Sequence, residues 1–527
     1  MAGILQISDE ALGFTQEIIG DMEKKGIAVD LTHQILTRYN AGLYDHIKPI
    51  QVTGIPEIDG NTVLDLTDEL QVILDLDEGQ KNIDLTGLNI DIKKIGKVEG
   101  NRIFFKRSAL RELGELLYPV VAYGFLNGGS ASSYVDSKRN KTLNEDLFKI
   151  YQKEFETIEL ISKGKAKGIT PAFINPDGTP GPSYIELKMR ALLIEILRCK
   201  LRNGPKPSFP VFQMTSVYNN DEVQSTYLKY KTSDLLQTLI EATGVDVTSV
   251  LTGVQPMLAA YTHDSKGKPK RIFSEAYGVP NNTLPMPGGH GQNFQILKTI
   301  YQDLKDRGFK YVYLGNVDNL GFTVDPISVA LIALYHKEAG FEFSFRTVVD
   351  IKGGILIRDQ YNRLNCADIG TAISKNEVLK AEQSGKKILF NCATGLFNLD
   401  YLVPNIDRII DNLPVRFSNQ DKDPGMYAQA EQVTWEIIGM MDDFLIFGID
   451  KYDRFLAAKM LLEGLMTSGV GLDNPEFPTD PDPEKDLKSV ALKLHEGLVR
   501  KLNTVYGMKL IKGHWVPRSL EELKAEL

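Results

Sequence analysis

Tyr118-Pro119-Val120-Val121-Ala122-Tyr123-Gly124 runs directly into Phe125-Leu126-Asn127-Gly128-Gly129-Ser130-Ala131-Ser132-Ser133-Tyr134. The first half is apolar and rich in β-branched residues, the composition of a buried strand. The second half has two glycines followed by four small residues, three of them with hydroxyls. A strand ending in such a loop brings bare backbone N–H groups near an anion. Glycine permits the close approach, and successive amides form an anion-binding concavity. Gly-Gly after a strand also serves as an ordinary turn, so the surrounding chain has to decide between the two.

Outward from this stretch, strand and helix patterns alternate between residue 118 and about 400. Strands are expected at 118–124, 209–216, 247–254, 311–315, 341–349, 354–358 and 387–391. Helices are expected between them at 184–198, 221–243, 291–307 and 325–337. The alternation predicts an α/β layer fold with a mostly parallel sheet. In such sheets ligands sit outside the carboxyl ends of the strands.

The flanks differ. Residues 8–50 read as helical, 51–106 as short strands and turns (Ile83-Asp84-Leu85 among the strands), and 108–117 as a helix. Residues 136–168 are polar and lysine-rich, an expected exposed insertion with one helix near 143–160 and a flexible basic turn at 163–167. After about 425 the chain reads as mainly helical, at 428–445, 452–466 and 486–506, with a Pro/Asp-rich linker at 475–483. The expected division is an N-terminal region 1–110, an α/β domain 111–468 carrying the insertion 136–168, and a helical region 469–527.

Composition sets bounds. A chain of 527 residues exceeds one ordinary core. Hydrophobic content of 43% with 24% charged residues is that of a soluble globular protein. A net charge of −9 argues against broad nucleic-acid or anionic-membrane binding, which call for a basic face. Cys199, Cys366 and Cys392 are far apart and form no CxxC, which argues against a disulfide framework or zinc site and for a reducing, cytoplasmic setting. The first residues carry no basic and apolar leader pattern, and no run approaches the ~20 apolar residues needed to cross a bilayer.

Three further segments bear on chemistry. Asn316-Val317-Asp318-Asn319-Leu320-Gly321 follows a strong strand and places a carboxylate and two amides at its carboxyl end. Those oxygens suit a hard cation bridging phosphates; Asp318 capping the next segment is the plainer alternative. Pro287-Gly288-Gly289-His290-Gly291-Gln292 opens a helix, whose N-terminus favours anions. Lys352 and Lys459 are isolated lysines of the kind usually found solvated at the surface. GxSxG, HExxH, Walker A and GxGxxG patterns are all absent. Glycine loops, one or two acids and scattered lysines suit phosphoryl or nucleotidyl transfer, where catalysis is positioning and charge neutralisation.

In order along the chain, these loops resemble the UTP–glucose-1-phosphate uridylyltransferase family, or UDP-sugar pyrophosphorylases. The resemblance rests on Leu126-Asn127-Gly128-Gly129, Met214-Thr215-Ser216, Gln255-Pro256, Pro287 to Gln292, and Asn316 to Gly321. It continues through Ile351-Lys352-Gly353-Gly354, Phe390-Asn391, Gln429-Ala430-Glu431, and Arg454 to Lys459. It implies a Rossmann-like, GT-A-like nucleotidyltransferase fold with a mixed sheet, flanked by mainly helical N- and C-terminal regions.

It also implies roles. Leu126, Asn127, Gly128, Gly129 and Gln255 would hold the uracil, and Met214 and Gly289 would line the base pocket. His290 would sit by the sugar phosphate. Asp318 would bind Mg²⁺ and sugar hydroxyls, and Asn391 would touch the sugar. Asn316 and Lys352 would join the substrate-binding set, and Lys459 the phosphates. The family's other phosphate lysine falls on Lys167, with Lys165 and Lys138 as alternatives. This sequence departs from the family at Ser130 to Tyr134, where a third glycine is expected, and in the roughly thirty residues that follow. The family's C-terminal left-handed β-helix has no clear counterpart.

The expected reaction is Mg²⁺-dependent transfer of uridylyl from UTP to glucose 1-phosphate, releasing pyrophosphate. The alternatives are an N-acetylhexosamine or a broad set of sugar 1-phosphates, and a UDP-sugar-binding protein without activity. The sequence leaves the oligomeric state open.

Overall fold

A computed structural model describes residues 8–44, 49–132, 134–347, 349–350, 353–482 and 486–527. Its centre is a ten-stranded sheet. The strands are β1 (Val63–Asp65), β2 (Val121–Leu126), β3 (Val211–Ser216), β4 (Leu251–Gln255) and β5 (Tyr311–Asn316), then β6 (Ala339–Phe345), β7 (Gly354–Arg358), β8 (Leu364–Asp368), β9 (Leu389–Asn398) and β10 (Phe444–Ile449). They lie in the order β1-β10-β6-β9-β5-β2-β3-β4, with the β7–β8 hairpin paired onto β9.

β5, β2, β3 and β4 are mutually parallel, and so are β1, β10 and β6. β9 runs antiparallel to both of its neighbours, β6 and β5. The sheet is therefore mixed, where alternation in the sequence alone predicts a mostly parallel one. One consequence organises the molecule. The carboxyl ends of β2 to β6 and β10 and the amino end of β9 share one edge. The register is level there: Leu126 faces Asn316 and Met214, and Ser216 faces Gln255.

Helices cover the sheet because its strands are apolar on both faces, as parallel strands require. α1 (Arg107–Leu117), α2 (Tyr184–Leu201) and α3 (Pro326–Leu334) pack on one side. α2 and α3 are buried nearly all round. α1 crosses α3 so closely at Gly114 that a Cβ there would overlap the Pro326 carbonyl. The C-terminal α5 (Leu487–Thr504) belongs to the same body, since Leu494, Leu498, Leu502, Tyr506 and Trp515 join the core that contains β2 and α2, and α4 (Leu461–Ser468) packs against α5. Among the described residues no helix is long and apolar enough to cross a membrane.

Several expectations need correction. Residues 83–85 end a helix, Leu76–Asp84, whose Asp75 cap accepts from the N–H groups of Asp77 and Glu78. The span 428–445 is not a helix; it holds strand Gly425–Glu431, a 3₁₀ turn Thr434–Met440 and the start of β10. An apolar run buried on both faces has no alternation to separate strand from helix. The expected helix 452–466 is broken by an extended passage at 455–460. After α5 the chain forms a hairpin, Met508–Ile511 with His514–Pro517. The insertion is not simply exposed. Helices Glu145–Ile150 and Gln152–Ser162 bury Leu147, Phe148, Tyr151, Phe155 and Ile158 against Leu461, Leu462 and Leu465 of α4.

Candidate active site

The loops at the shared edge converge. After β2, the Asn127 N–H donates to the Met214 carbonyl at 2.9 Å, and Asn127 Oδ1 accepts from the Gly168 N–H at 3.1 Å. Asn219 Nδ2 reaches the carbonyls of Asn127 and Gly128. A Cβ on Gly128 would lie 3.2 Å from Gln255 Oε1. Gln255 Nε2 in turn donates to the Gly289 carbonyl at 2.8 Å and to Gln292 Oε1 at 2.7 Å. The two glycine loops are thus joined through one glutamine. Gly289 has φ +80°, and a side chain there would run into the Gln432 backbone. Leu126 and Met214 lie beside this ring, but their side chains are packed in the core beneath it.

The altered half of the first loop is held by the insertion. The Ala131 N–H donates to the Lys165 carbonyl at 2.8 Å, and the Lys167 N–H to the Gly129 carbonyl at 3.1 Å. This short antiparallel contact delivers Lys167, whose Nζ reaches Asp318 Oδ2 at 2.5 Å and also the Ala458 carbonyl. The Tyr134 ring lies 4.2 Å from the same Nζ. The basic turn 163–167 is therefore ordered where Lys167 enters the site. Lys138 is exposed on the insertion, and Lys165 takes part through its carbonyl.

The Asn316 to Gly321 segment divides its work. Asn316 and Asp318 line a cavity of about 410 Å³. Asn319 lines it too, but its fully buried side chain is spent on the backbone: it donates to the Arg454 carbonyl and accepts from the N–H groups of Gly321 and Leu456. That clamp fixes the extended passage ending in Lys459. Glu463 of α4 then accepts from the Lys459 and Met460 N–H groups at 2.6 and 3.0 Å. Lys459 lines the cavity, its Nζ 5.5 Å from the Phe390 ring centroid.

His290 and Asn391 complete the wall. His290 Nδ1 accepts from the Thr434 N–H at 3.1 Å. A ring nitrogen that accepts carries no proton, so the proton sits on Nε2. Burial, with a smaller contribution from Lys459, holds the His290 pKa down to about 4. The ring is a neutral hydrogen-bond donor at physiological pH. Asn391 Oδ1 accepts from the Ala393 N–H, and Ala393 sits at φ +51° where the pairing of β6 with β9 shifts register. Such a bulge re-aims neighbouring side chains. Lys352 lies outside the described residues.

The cavity is also lined by Trp435, Asp368, Cys366, Thr371, Arg416 and Glu436, none of which sequence reasoning selected. The Trp435 indole N–H is buried and finds no acceptor among the described residues. Burial raises the Glu436 pKa against the opposing pull of Arg416. One of the chain's two tryptophans, a few residues after Gln429-Ala430-Glu431, is the signal that was available.

The sequence profile described as UTP–glucose-1-phosphate uridylyltransferase matches residues 198–468, just over half of the chain. The chain belongs to the UTP–glucose-1-phosphate uridylyltransferase family. The match takes in Gln255, His290, Asp318, Asn391 and Lys459, while the opening glycine loop and Lys167 precede it. The UTP–glucose-1-phosphate uridylyltransferase of Pyrus pyrifolia is 22% identical over 326 residues, covering 57% of this chain and 64% of that one. The chain thus spans less than two thirds of that relative's length. In fold it is similar to a uridine diphosphate N-acetylglucosamine pyrophosphorylase of Trypanosoma brucei, solved with an inhibitor (TM-score 0.55, 16% identity, 93% of this chain and 81% of that chain). A mutant UDP-glucose pyrophosphorylase of Leishmania major has TM-score 0.52 at 16% identity, covering 86% of this chain and 78% of that chain.

Proposed function

We propose that the protein catalyses uridylyl transfer from UTP to a sugar 1-phosphate, with glucose 1-phosphate as the first expected acceptor and Mg²⁺ as cofactor. A phosphate oxygen of the sugar 1-phosphate attacks the α-phosphorus of UTP in line. The bond from the α-phosphorus to the bridging oxygen breaks, and pyrophosphate leaves with its electron pair. The observation that supports this best is that Asp318 and Lys459 line one cavity while Lys167 Nζ pairs with that same Asp318, in a chain of this family.

Lys167 and Lys459 offset the charge that accumulates on the non-bridging oxygens and on the leaving pyrophosphate. His290 offers a neutral Nε2–H to the sugar phosphate. The ring of Asn127, Gly128 and Gln255 offers amide donors and acceptors to the base. Among the described residues no cluster of three or more His, Cys, Asp or Glu side chains could hold a metal by itself. Asp318, which lines the cavity together with Asp368 and Glu436, fits Mg²⁺, which binds through one or two carboxylates plus substrate phosphates. When bound there, Mg²⁺ supplies Lewis-acid charge stabilisation.

The insertion favours catalysis over UDP-sugar binding alone, because it supplies a cation where the family's glycine loop is altered. The three cysteines are unpaired and buried, in keeping with a reducing cytoplasmic setting. The test is pyrophosphate release from UTP and Mg²⁺ over a panel of sugar 1-phosphates that includes N-acetylhexosamine 1-phosphates. Asp318→Ala is expected to lower turnover at least 100-fold; undiminished turnover would reject the assignment.

A further inference from the structure

Behind the Asp318 loop lies a second cavity of about 290 Å³, enclosed by α1, α2, the approach to α3, and α5. Its wall carries five cationic and three acidic side chains. Two of the acids are paired with cations and the third serves as a helix cap. Glu195 pairs with Arg198, and Asp453 with Lys501 at 2.8 Å. Asp325 caps α3, accepting from the Ser328 N–H at 2.9 Å and Oγ at 2.6 Å. A third cation, Arg454, pairs with Glu342 outside the cavity.

Among the described residues Lys188 and Arg111 have no such match. Lys188 is 1% exposed, and its Nζ donates to the carbonyls of Asn319 at 2.6 Å and Phe322 at 3.0 Å. An ammonium has three donors, and two carbonyls do not neutralise a buried charge. Burial lowers the Lys188 pKa to about 7, with Asp318 opposing. Arg111 is exposed on α1, at the other wall of the same cavity. The space is roughly ten times the ~30 Å³ that one water occupies in the liquid, enough for a tetrahedral anion with a short organic tail.

We infer that this cavity binds a small phosphorylated anion, orthophosphate or a short phosphate monoester, between Lys188 and Arg111. The site is separate from the 410 Å³ cavity and independent of the proposed reaction. It lies one peptide from the catalytic loop, because the carbonyl that Lys188 holds belongs to Asn319, the neighbour of Asp318.

Titration calorimetry of the full chain with inorganic phosphate, and in parallel with glycerol phosphate, tests this. Saturable binding is expected in the native chain and in Lys459→Ala. Binding at least tenfold weaker is expected in Arg111→Glu, an exposed substitution that leaves the melting temperature nearly unchanged. Tighter binding of glycerol phosphate would assign the site to an organic monoester, and equal or weaker binding to orthophosphate. Absence of saturable binding in the native chain, retention in Arg111→Glu, or loss in Lys459→Ala would overturn the inference. A tungstate soak gives a second readout: an anomalous peak beside Lys188 Nζ supports the site, and peaks only in the other cavity reject it.

Discussion

His290 shows what one residue's surroundings decide. Its proton is fixed on Nε2 and its pKa is depressed by burial, so activity between pH 6 and 9 should show no inflection from it. Stability should. The unfolded chain takes up this proton near pH 6.5 while the folded chain resists until about 4. The unfolded state therefore binds more protons within that window, and stability falls as pH drops through it. Urea unfolding at pH 7 and pH 5 should differ by roughly 2 kcal/mol more in the native protein than in His290→Asn. At this scale the sequence was legible where neighbours in space are neighbours in the chain. Asp318 and its strand-end position could be read from one hexapeptide. Lys167 needed the family resemblance, because its partner is 151 residues away. Lys188 carried no signal, since a lysine inside an amphipathic-looking helix reads as solvated until the fold buries it.

Two elements carry predictions of their own. α1 and α3 touch through Gly114, and Gly114→Val should cost about 3 kcal/mol by overpacking, read as a lower urea midpoint with an unchanged slope. α4 anchors the Lys459 passage through Glu463, whose pKa burial raises against the pull of the Met460 and Lys459 amides. Glu463→Ala should cost about 1–2 kcal/mol of stability. It should also raise KM for UTP and lower turnover by about tenfold, because Lys459 loses its fixed approach. Elements set off by turn residues on either side were found near their true places, among them β3, β5, α2 and α5. Those missed lie where burial on both faces erases the period, as in β10, or where the insertion's apolar residues are hidden among lysines, as at Phe148 and Phe155.

Over the whole molecule, the C-terminal region and the Asp318 loop stabilise each other. The Tyr506 hydroxyl donates to the Leu320 carbonyl at 2.6 Å, and Arg190 of α2 holds the carbonyls of Tyr506 and Gly507. A chain truncated at residue 486 should lose cooperative unfolding and pyrophosphate release together, measured by circular dichroism and a coupled assay. This dependence was hidden because the 475–483 linker reads as a boundary, whereas the packing on either side of it is continuous. The pairing of β1 with β10 has a further consequence for biosynthesis. Val63 meets Ile446, so a strand made early waits for a partner made some 380 residues later. At about 5–20 residues per second that delay is on the order of 20–80 s. Throughout it the nascent chain carries a strand without its mate, an edge open to non-native pairing until the residues around Ile446 have been made.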